Sequence, residues 1–419
     1  MARGAGEGEV VVSRGEDGAV RVVCGPAAAS DFTRAVLDVA GAVLAWPVVG
    51  DAGVPTAEIH DVRRAQQWLW AVYGEQVAAA VHACAVGELA SARMATEPTA
   101  LAGSATRLGF GHWTARWWPA SHLDGIPALQ PDVLGMELAA LTHTCQQLFD
   151  ADDDQPDDCV AELIGDHEIA LDALIQWWHS TPPTNDTARR LENVLRTVDD
   201  AADGAGLDGE ALRHLRTALD RPRPDGTPID ATVLFARHDD YALAAGEPLV
   251  TGGRIIARGA GTNDWRRYPP GLVDASEAAV SWIARALGAR RQIEVEVVAH
   301  IAAPVAEVPL AAEVRVNDGP RSRVPLSRRA DLWSGWADLD LPAGGTEPRI
   351  ELGVLLPGFD PGPGSDSGAD REAIRALVRR RLATAATATP LGAPDSPPQN
   401  GTSAPFLAEI AAATTDEDY

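Results

Sequence analysis

Aromatic and charged side chains that could bind a ligand together are concentrated in one stretch of the sequence, residues 109–127. Indole rings supply a broad apolar surface with one hydrogen-bond donor, and a guanidinium can recognise a carboxylate or a phosphate. This composition predicts a ligand pocket or a partner groove, although tryptophan pairs such as Trp177 and Trp178 favour a competing interpretation, an aromatic core between helices. The candidate binding residues of this stretch are Trp113, Arg116, Trp117 and Trp118.

A second group of residues could supply an acid, a base or metal ligands from one predicted helix. Its spacing fits neither the zincin motif nor that of di-iron bundle proteins, because Leu171 stands where HExxH would need a histidine after His167, and no ExxH pair occurs. The acidic stretch 150–158 resembles a calcium loop only in charge, since it lacks the glycine turn. We therefore predict no metal site and interpret the group as a solvated helix face. It consists of Asp166, His167, Glu168, Asp172 and His179.

Motifs that bind phosphate or activate a serine are missing from the chain. The glycine-rich segment 253–264 does not contain GxGxxG, GxxxxGK[ST] is excluded because the chain has no lysine, and GxSxG does not occur. A triad whose members meet only in the fold stays open. We therefore expect no cofactor and favour a protein that is not an enzyme, with an active site in the aromatic and His-rich region 109–179 as the alternative.

The C-terminal segment carries the remaining candidate binding residues, Phe406, Leu407 and Ile410. Their spacing of i, i+1 and i+4 would place them on one side of a single helical turn. So short a segment is expected to become helical only against a partner surface. We predict a tethered peptide that docks on a protein partner. An inert acidic solubility tail is one alternative, and pairing of the acidic end with Arg375, Arg379 and Arg380 is another.

The chain is strongly acidic, with 60 Asp and Glu against 35 basic residues and a formal net charge of −25. Such a surface repels the phosphates of nucleic acids and anionic membranes. No apolar run is long enough for a transmembrane helix, so we expect a soluble protein that binds neither nucleic acid nor membrane. The 4 cysteines stand far apart without CxxC pairs, which favours the reducing cytoplasm.

All 35 basic residues are arginine, and lysine is absent from the chain. The abundance of Ala, Arg, Gly, Asp and Pro indicates a GC-rich bacterial genome, and codon bias of that kind is the preferred explanation. The alternative is selection against side-chain tagging, because a guanidinium is too weakly nucleophilic at neutral pH to replace the lysine amine.

Hydrophobic periodicity predicts a β-hairpin within 9–24, followed by helices over 30–46, 56–95 and 131–149 and by further helices up to residue 220. The segment 1–220 is therefore predicted as a mainly helical domain. Turn-forming residues at 221–228 mark the best domain boundary.

Beyond this boundary the period shifts toward two, which predicts a β-rich domain over 229–360 with a sandwich-like or α+β arrangement. One helix, 274–287, is expected to interrupt its strands. An Arg-rich helix over 367–382 and a disordered tether over 383–419 complete the chain. The expected fold class is thus a multidomain α+β protein with a disordered C-terminal tail.

These features lead to a hypothesis of function. We expect a non-enzymatic adaptor or scaffold of a bacterial cytoplasmic multi-protein system, which engages protein partners through its tethered C-terminal peptide. The alternatives are an enzyme of unknown class with its site in 109–179, and a carrier whose tail is the substrate of a modifying enzyme or protease. The sequence does not fix the oligomeric state.

Overall fold

The computed structural model divides the chain into two compact units. The first, here called the helical unit, comprises Met1–Arg116, Leu129–Ala236 and Ala369–Tyr419; the second, the β-rich unit, comprises Trp117–Ala128 and Arg237–Gly368. The boundary expected at 221–228 falls almost entirely outside the described residues and stays a prediction. The structure describes residues 9–24, 31–50, 53–96, 99–149, 157–183, 185–221, 253–300, 308–339, 348–359, 368–387 and 404–413, together with residues 234 and 303.

The helical unit contains a 6-stranded antiparallel sheet of order β3-β4-β5-β2-β1-β6. The hairpin expected within 9–24 is present, with Val12 opposite Val22. Both valines are fully buried, as the alternation of apolar residues along a half-buried strand requires. The strands are β1 (Glu9–Arg14), β2 (Val20–Cys24), β3 (Arg34–Val39), β4 (Ala42–Pro47), β5 (Thr56–Ile59) and β6 (Ser91–Ala95).

Two predicted helices of this region need correction. Residues 34–47 form the hairpin β3–β4, and the helical part of 56–95 begins only at Val62 and ends at Ala85. A short apolar run does not distinguish a buried strand from a helix by periodicity alone. Gly41 forms the turn between the strands with a φ of 74°, and a Cβ there would collide with the Asp61 carbonyl oxygen.

Helices form most of the remaining described part of this unit, and the helix Glu75–Ala85 packs against β1, β2 and β6. Local signals fix several of their starts: Asp61 accepts hydrogen bonds from the first turn of α1, Asn185 caps α7, and Pro131 opens α4. The helix α4 packs against α5 and α7. The helices are α1 (Val62–Tyr73), α2 (Glu75–Ala85), α3 (Ala100–Trp117), α4 (Pro131–Thr144), α5 (Asp157–His167), α6 (Leu171–Ser180), α7 (Asp186–Gly204), α8 (Glu210–Asp220), α9 (Gly368–Thr387) and α10 (Leu407–Ala413).

The β-rich unit contains a 3-stranded sheet, β11-β10-β14, and a 5-stranded sheet, β12-β13-β9-β8-β7. All neighbouring strands are antiparallel, and Ile293, Val295 and Val297 of β9 are fully buried. The strands are β7 (Arg254–Ala260), β8 (Val280–Leu287), β9 (Arg290–Val298), β10 (Ala311–Val316), β11 (Arg321–Pro325), β12 (Ser327–Arg329), β13 (Leu332–Asp338) and β14 (Ile350–Leu355).

The helix predicted over 274–287 is wrong, because Val280–Leu287 is the strand β8, paired with β7 and β9. Asp274 does not begin a helix. Its carboxylate, in a residue 1 % exposed, accepts hydrogen bonds from Ser121 Oγ at 2.7 Å and from the backbone nitrogens of His122 at 2.7 Å and Ser276 at 2.8 Å. This buried anchor explains why 117–128 belongs to the β-rich unit.

The expected α+β composition is present, and the Arg-rich helix exists as α9. Disorder over 383–419 needs correction within the described residues, because α9 continues to Thr387 and α10 forms near the C-terminus. Residues 388–403 and 414–419 lie outside the described residues. In the part of the chain that the structure describes, no helix is both long and apolar enough to cross a membrane.

Candidate functional site: a groove that holds residues 404–413

Every residue of the segment 404–413, here called the docked segment, is buried. Phe406 and Glu409 are 0 % exposed and Leu407 is 1 % exposed, although α10 has only 7 residues. A helix of this length is marginal alone in water, so its packing partners must stabilise it. Those partners come from α3, α4, α7 and α9, which together form what we call the docking groove.

The Phe406 ring lies in a pocket of aromatic rings and guanidinium groups. It stacks on Phe110 of α3, with ring centroids 6.1 Å apart and an interplanar angle of 10°. The Arg107 guanidinium carbon lies 4.5 Å from the Phe406 centroid, and that of Arg381 lies 4.6 Å from the Phe110 centroid. Gly111 leaves the necessary room, since a Cβ there would come within 3.3 Å of the Phe406 ring. The pocket therefore selects a flat aromatic side chain.

The second anchor is a buried ion pair between Arg381 of α9 and Glu409 of α10. Arg381 Nε and Nη2 each donate to a different Glu409 carboxylate oxygen at 2.6 Å, and both residues are less than 10 % exposed. This parallel two-point geometry is the strongest form of an arginine–carboxylate pair. Glu409 Oε2 also accepts the Phe406 backbone N–H at 2.6 Å, which satisfies a donor at the start of α10.

Glu137 of α4 provides a third anchor from outside the docked segment. Its Oε1 accepts Arg107 Nη2 at 2.6 Å, while its Oε2 accepts the Leu407 backbone N–H at 2.7 Å. Glu137 is 5 % exposed. The charge of this carboxylate is thus balanced by an arginine of α3, and its second oxygen is directed at the peptide backbone.

Arginines also bind the carbonyl groups that precede Phe406. Arg107 Nη1 donates to the Ala404 oxygen at 2.8 Å, and Arg190 Nη1 donates to the Pro405 oxygen at 2.9 Å. Arg381 Nη2 adds a longer bond of 3.3 Å to Ala404. These contacts recognise backbone atoms, so they fix the path of the segment without reading its sequence.

A cleft of ≈ 820 Å³ adjoins the groove at Ala404 and runs between α3, α4 and α7. Small and polar side chains form much of its wall, and Ala404 is the docked segment's contribution to it. The cleft is lined by Thr99, Ala100, Gly103, Ser104, Arg107, Glu137, Ala140, Leu141, Thr144, Arg189, Arg190, Asn193, Val194, Thr197 and Ala404.

The structure brings the candidate residues Phe406, Leu407 and Ile410 together in this groove, where all three are buried against their own chain. The pairing expected for the acidic end falls on residues outside the described part. The nearby arginines have other contacts, because Arg375 binds Glu372 at 2.9 Å and Arg381 binds Glu409.

The candidate residues of 109–127 divide between the two units, with Trp113 and Arg116 in the helical unit and Trp117 and Trp118 in the β-rich unit. Trp113 is buried, stacks on Phe110 with centroids 5.1 Å apart, and donates to the Phe32 carbonyl at 2.8 Å. Trp118 donates to the Pro127 carbonyl at 2.8 Å within the β-rich unit. Trp117 and Arg116 are half-buried, and burial lowers the pKa of the Arg116 guanidinium. Trp113 thus has the core role that was the competing interpretation.

The acid–base group of 166–179 separates into unrelated pairs. His167 lies 3.0 Å from Asp132 of α4, and Asp172 lies 2.7 Å from His214 of α8. Among the residues that the structure describes, no cluster of His, Cys, Asp and Glu could hold a metal ion. Burial raises the pKa of the Cys145 thiol to about 12, which leaves it protonated at neutral pH.

The sequence-based reasoning missed the groove residues Arg107, Glu137, Arg190 and Arg381. One local signal was available, because Glu409 follows Phe406 by three positions and so has the spacing of a residue that caps its own helix. Its arginine partner gives no comparable signal.

Comparison with known proteins found no relative of this chain. No family model matches the chain, and neither the curated proteins nor the solved structures give a significant match. The function is therefore argued from the groove and its contacts.

Proposed function

We propose that the protein is a non-enzymatic adaptor or scaffold of a bacterial cytoplasmic multi-protein system. It engages protein partners through the docked segment, which rests in the docking groove and is released from it to bind. The observation that carries this proposal is that residues 404–410 are anchored by side chains of the same unit. These side chains are Arg107, Glu137, Arg190 and Arg381. A short peptide that is bound through a few strong anchors resembles a ligand in a receptor.

The energetics favour a reversible contact. Burial of an apolar side chain such as Phe406, Leu407 or Ile410 contributes about 1.5–3 kcal/mol. Ordering of the backbone opposes this with about 1–2 kcal/mol per residue. The desolvation of Arg381 and Glu409 offsets much of their attraction. Large opposing terms of this kind leave a small net free energy, which a partner could overcome.

The connection to the rest of the chain supports the same view. The 16 residues 388–403 join α9 to the docked segment, and their Pro, Gly, Ser and Thr content is typical of a tether. A tether of this length gives the segment an effective concentration of ~1 mM at its own groove. A partner must therefore bind the segment more tightly than the groove does.

Hydrogen exchange of the full-length protein tests the release. We expect the amides of 404–413 to exchange through a local opening that requires less free energy than the opening of α4. Arg381→Gln should accelerate this exchange by at least tenfold. Arg196→Gln is the matched control, because it removes an exposed Arg–Glu pair of α7 and should leave the rate unchanged. Exchange of 404–413 only together with α4 would contradict the proposal.

Affinity purification from the native host tests the adaptor role. Phe406→Ala should reduce recovery of the partners, because it damages the peptide. Arg381→Gln should maintain or increase recovery of the partners that bind the docked segment, because it damages only the groove and leaves the peptide intact. Equal recovery with wild-type and Phe406→Ala chains would show that the segment does not engage partners.

A further inference from the structure

We propose that the docking groove is itself a receptor for a segment of a partner protein that carries Phe-Leu-x-Glu, and that the docked segment is its intramolecular competitor. This inference rests on the release step of the proposed function. It concerns the opposite side of the contact, namely what the groove binds once its own segment has left.

Charge complementarity defines the occupant. The groove contributes the cations Arg107, Arg190 and Arg381, while Glu137 compensates Arg107 and Asp186 compensates Arg190 through an Nε–Oδ2 distance of 2.8 Å. The carboxylate that binds Arg381 at two points comes from the occupant. An occupant without that carboxylate would leave a buried guanidinium without its bidentate partner, which is strongly unfavourable. The groove therefore demands an acidic residue.

The position of that acidic residue is fixed by the Phe406 pocket. Glu409 reaches both Arg381 and the Phe406 backbone N–H because it stands three residues later, one helical turn away. The side chain at the first position must be flat and aromatic to stack on Phe110 beneath Arg107. The remaining polar contacts are made to carbonyl and N–H groups, which any peptide can supply. Specificity thus resides in the aromatic residue, the buried leucine and the acid.

The cleft offers a binding surface to residues that precede the motif. It continues from Ala404 along α3, α4 and α7, and Ala404 is the residue of the docked segment that lines it. A partner whose chain extends before the motif can place side chains among Thr99, Ser104 and Asn193. We expect these contacts to add to the binding of the motif itself.

Binding of a labelled synthetic peptide, APFLAEIAAA, to full-length protein tests the inference. Phe406→Ala should bind the peptide at least tenfold more tightly than wild type, because its own segment competes poorly while the groove is intact. Glu409→Gln is a second protein with a weakened segment, in case Phe406→Ala perturbs folding. Replacement of the glutamate by glutamine in the peptide should weaken binding at least tenfold. Arg381→Gln should abolish the selectivity for the acid, and Arg196→Gln should behave as wild type.

The cleft has its own test. Peptides extended at the N-terminus should bind Phe406→Ala more tightly than APFLAEIAAA does. The additional substitution Ser104→Trp, which fills the cleft, should remove this gain and leave binding of the short peptide unchanged. Equal binding of short and extended peptides would overturn the role given to the cleft.

The outcomes separate this inference from the proposed function. Absence of peptide binding by both Phe406→Ala and Glu409→Gln at millimolar concentration, or equal binding of the glutamine peptide, would overturn the receptor even if hydrogen exchange shows release. Peptide binding with the expected selectivity supports the receptor, even if wild-type exchange shows no local opening and so contradicts release. A different result would be that wild-type chains self-associate and that Arg381→Gln abolishes this association. This result would overturn the inference of a separate partner protein and assign the groove to a second copy of the chain.

Discussion

Two segments of this molecule are held by buried carboxylates, yet the two attachments differ in kind. In the β-rich unit, Asp274 holds 121–123 through a serine hydroxyl and backbone N–H groups, all of them neutral donors. In the helical unit, Glu137 and Glu409 hold the docked segment, and each is also paired with an arginine. The first segment lies between α3 and α4 in the chain, whereas the second follows α9 after residues 388–403.

This difference implies different costs of detachment. Release of 121–123 would leave Asp274 and its donors without each other inside a folded unit, so the anchor can fail only with the structure around it. Release of the docked segment returns Glu409 and Phe406 to water while the rest of the helical unit keeps its core. A substitution that weakens the second attachment can therefore reduce the stability of the protein by no more than the free energy of docking.

Substitution of Asp274 is expected to have the largest effect. Asp274→Ala leaves Ser121 and the backbone donors of 122, 123 and 276 unsatisfied, and we expect a loss of about 3–5 kcal/mol in the free energy of unfolding. Urea denaturation measures this loss. Asp338→Ala, which removes an exposed carboxylate bonded to Gln292 at 2.9 Å, is the control and should cost less than about 1 kcal/mol. Similar losses for both variants would remove the distinction between anchor and surface residue.

The limited cost of releasing the docked segment predicts strong non-additivity. Arg381→Gln and Phe406→Ala should each reduce stability by about the free energy of docking, and the double variant should lose no more than about 0.5 kcal/mol beyond the larger single loss. The reason is that a released segment has no contacts left to lose. A double-mutant cycle in urea measures this, and fully additive losses would show that the segment is an inseparable part of the core.

Substitution of two glycines of α3 by alanine is expected to change stability less, and in opposite directions at the two positions. At Gly111 a Cβ would come within 2.5 Å of Leu138 Cδ2, so Gly111→Ala should weaken docking by about 1–2 kcal/mol despite its better helix propensity. At Gly103 a Cβ would meet nothing within 4 Å, so Gly103→Ala should stabilise α3 by about 0.5–1 kcal/mol. Thermal denaturation and exchange of 404–413 distinguish the two variants.

The smallest effect concerns Glu296 of the β-rich unit, a carboxyl group whose ionised form is disfavoured by burial. Burial raises the pKa of Glu296, and neighbouring Glu294 raises it further. A carboxyl whose pKa is higher in the folded state favours folding below its unfolded pKa and loses that contribution as pH rises through the folded value. Glu296→Gln should therefore raise the melting temperature slightly at pH 7 and leave it unchanged near pH 3. A decrease at pH 7 would reverse the assigned sign.

The sequence predicted those elements whose signals are local. Pro131 indicated the start of α4, and the alternation within 9–24 indicated the first hairpin. The segments 30–46 and 274–287 were assigned to helices, although short apolar runs fit both periods. The strand partners of 34–47 and 280–287 decide between the two. Strand pairing is a long-range property that the local pattern does not contain.

Of the candidate site, the docked segment could be predicted from the sequence, but the groove that receives it could not. The spacing of Phe406, Leu407 and Ile410 indicated a helical turn with an apolar face, but the surface that receives it is built from distant helices. Arg107 and Glu137 stand roughly 270–300 positions before the segment they bind. The intramolecular alternative was foreseen with the acidic end as the partner of α9, whereas the structure uses Glu409 and Arg381.

The helix α3 is narrow at the point where it separates the first sheet from the docking groove. A Cβ at Gly109 would lie 2.9 Å from Trp46 Cζ3 of β4, and one at Gly111, on the opposite face, would lie 3.3 Å from Phe406 Cζ. Trp46 and Phe406 therefore approach opposite faces of the same turn of α3, at two positions that carry no side chain. Close packing transmits strain. The backbone of this turn is shared by the packing around Trp46 and by the wall of the docking groove, so a substitution at Trp46 is expected to alter how tightly the groove holds its occupant.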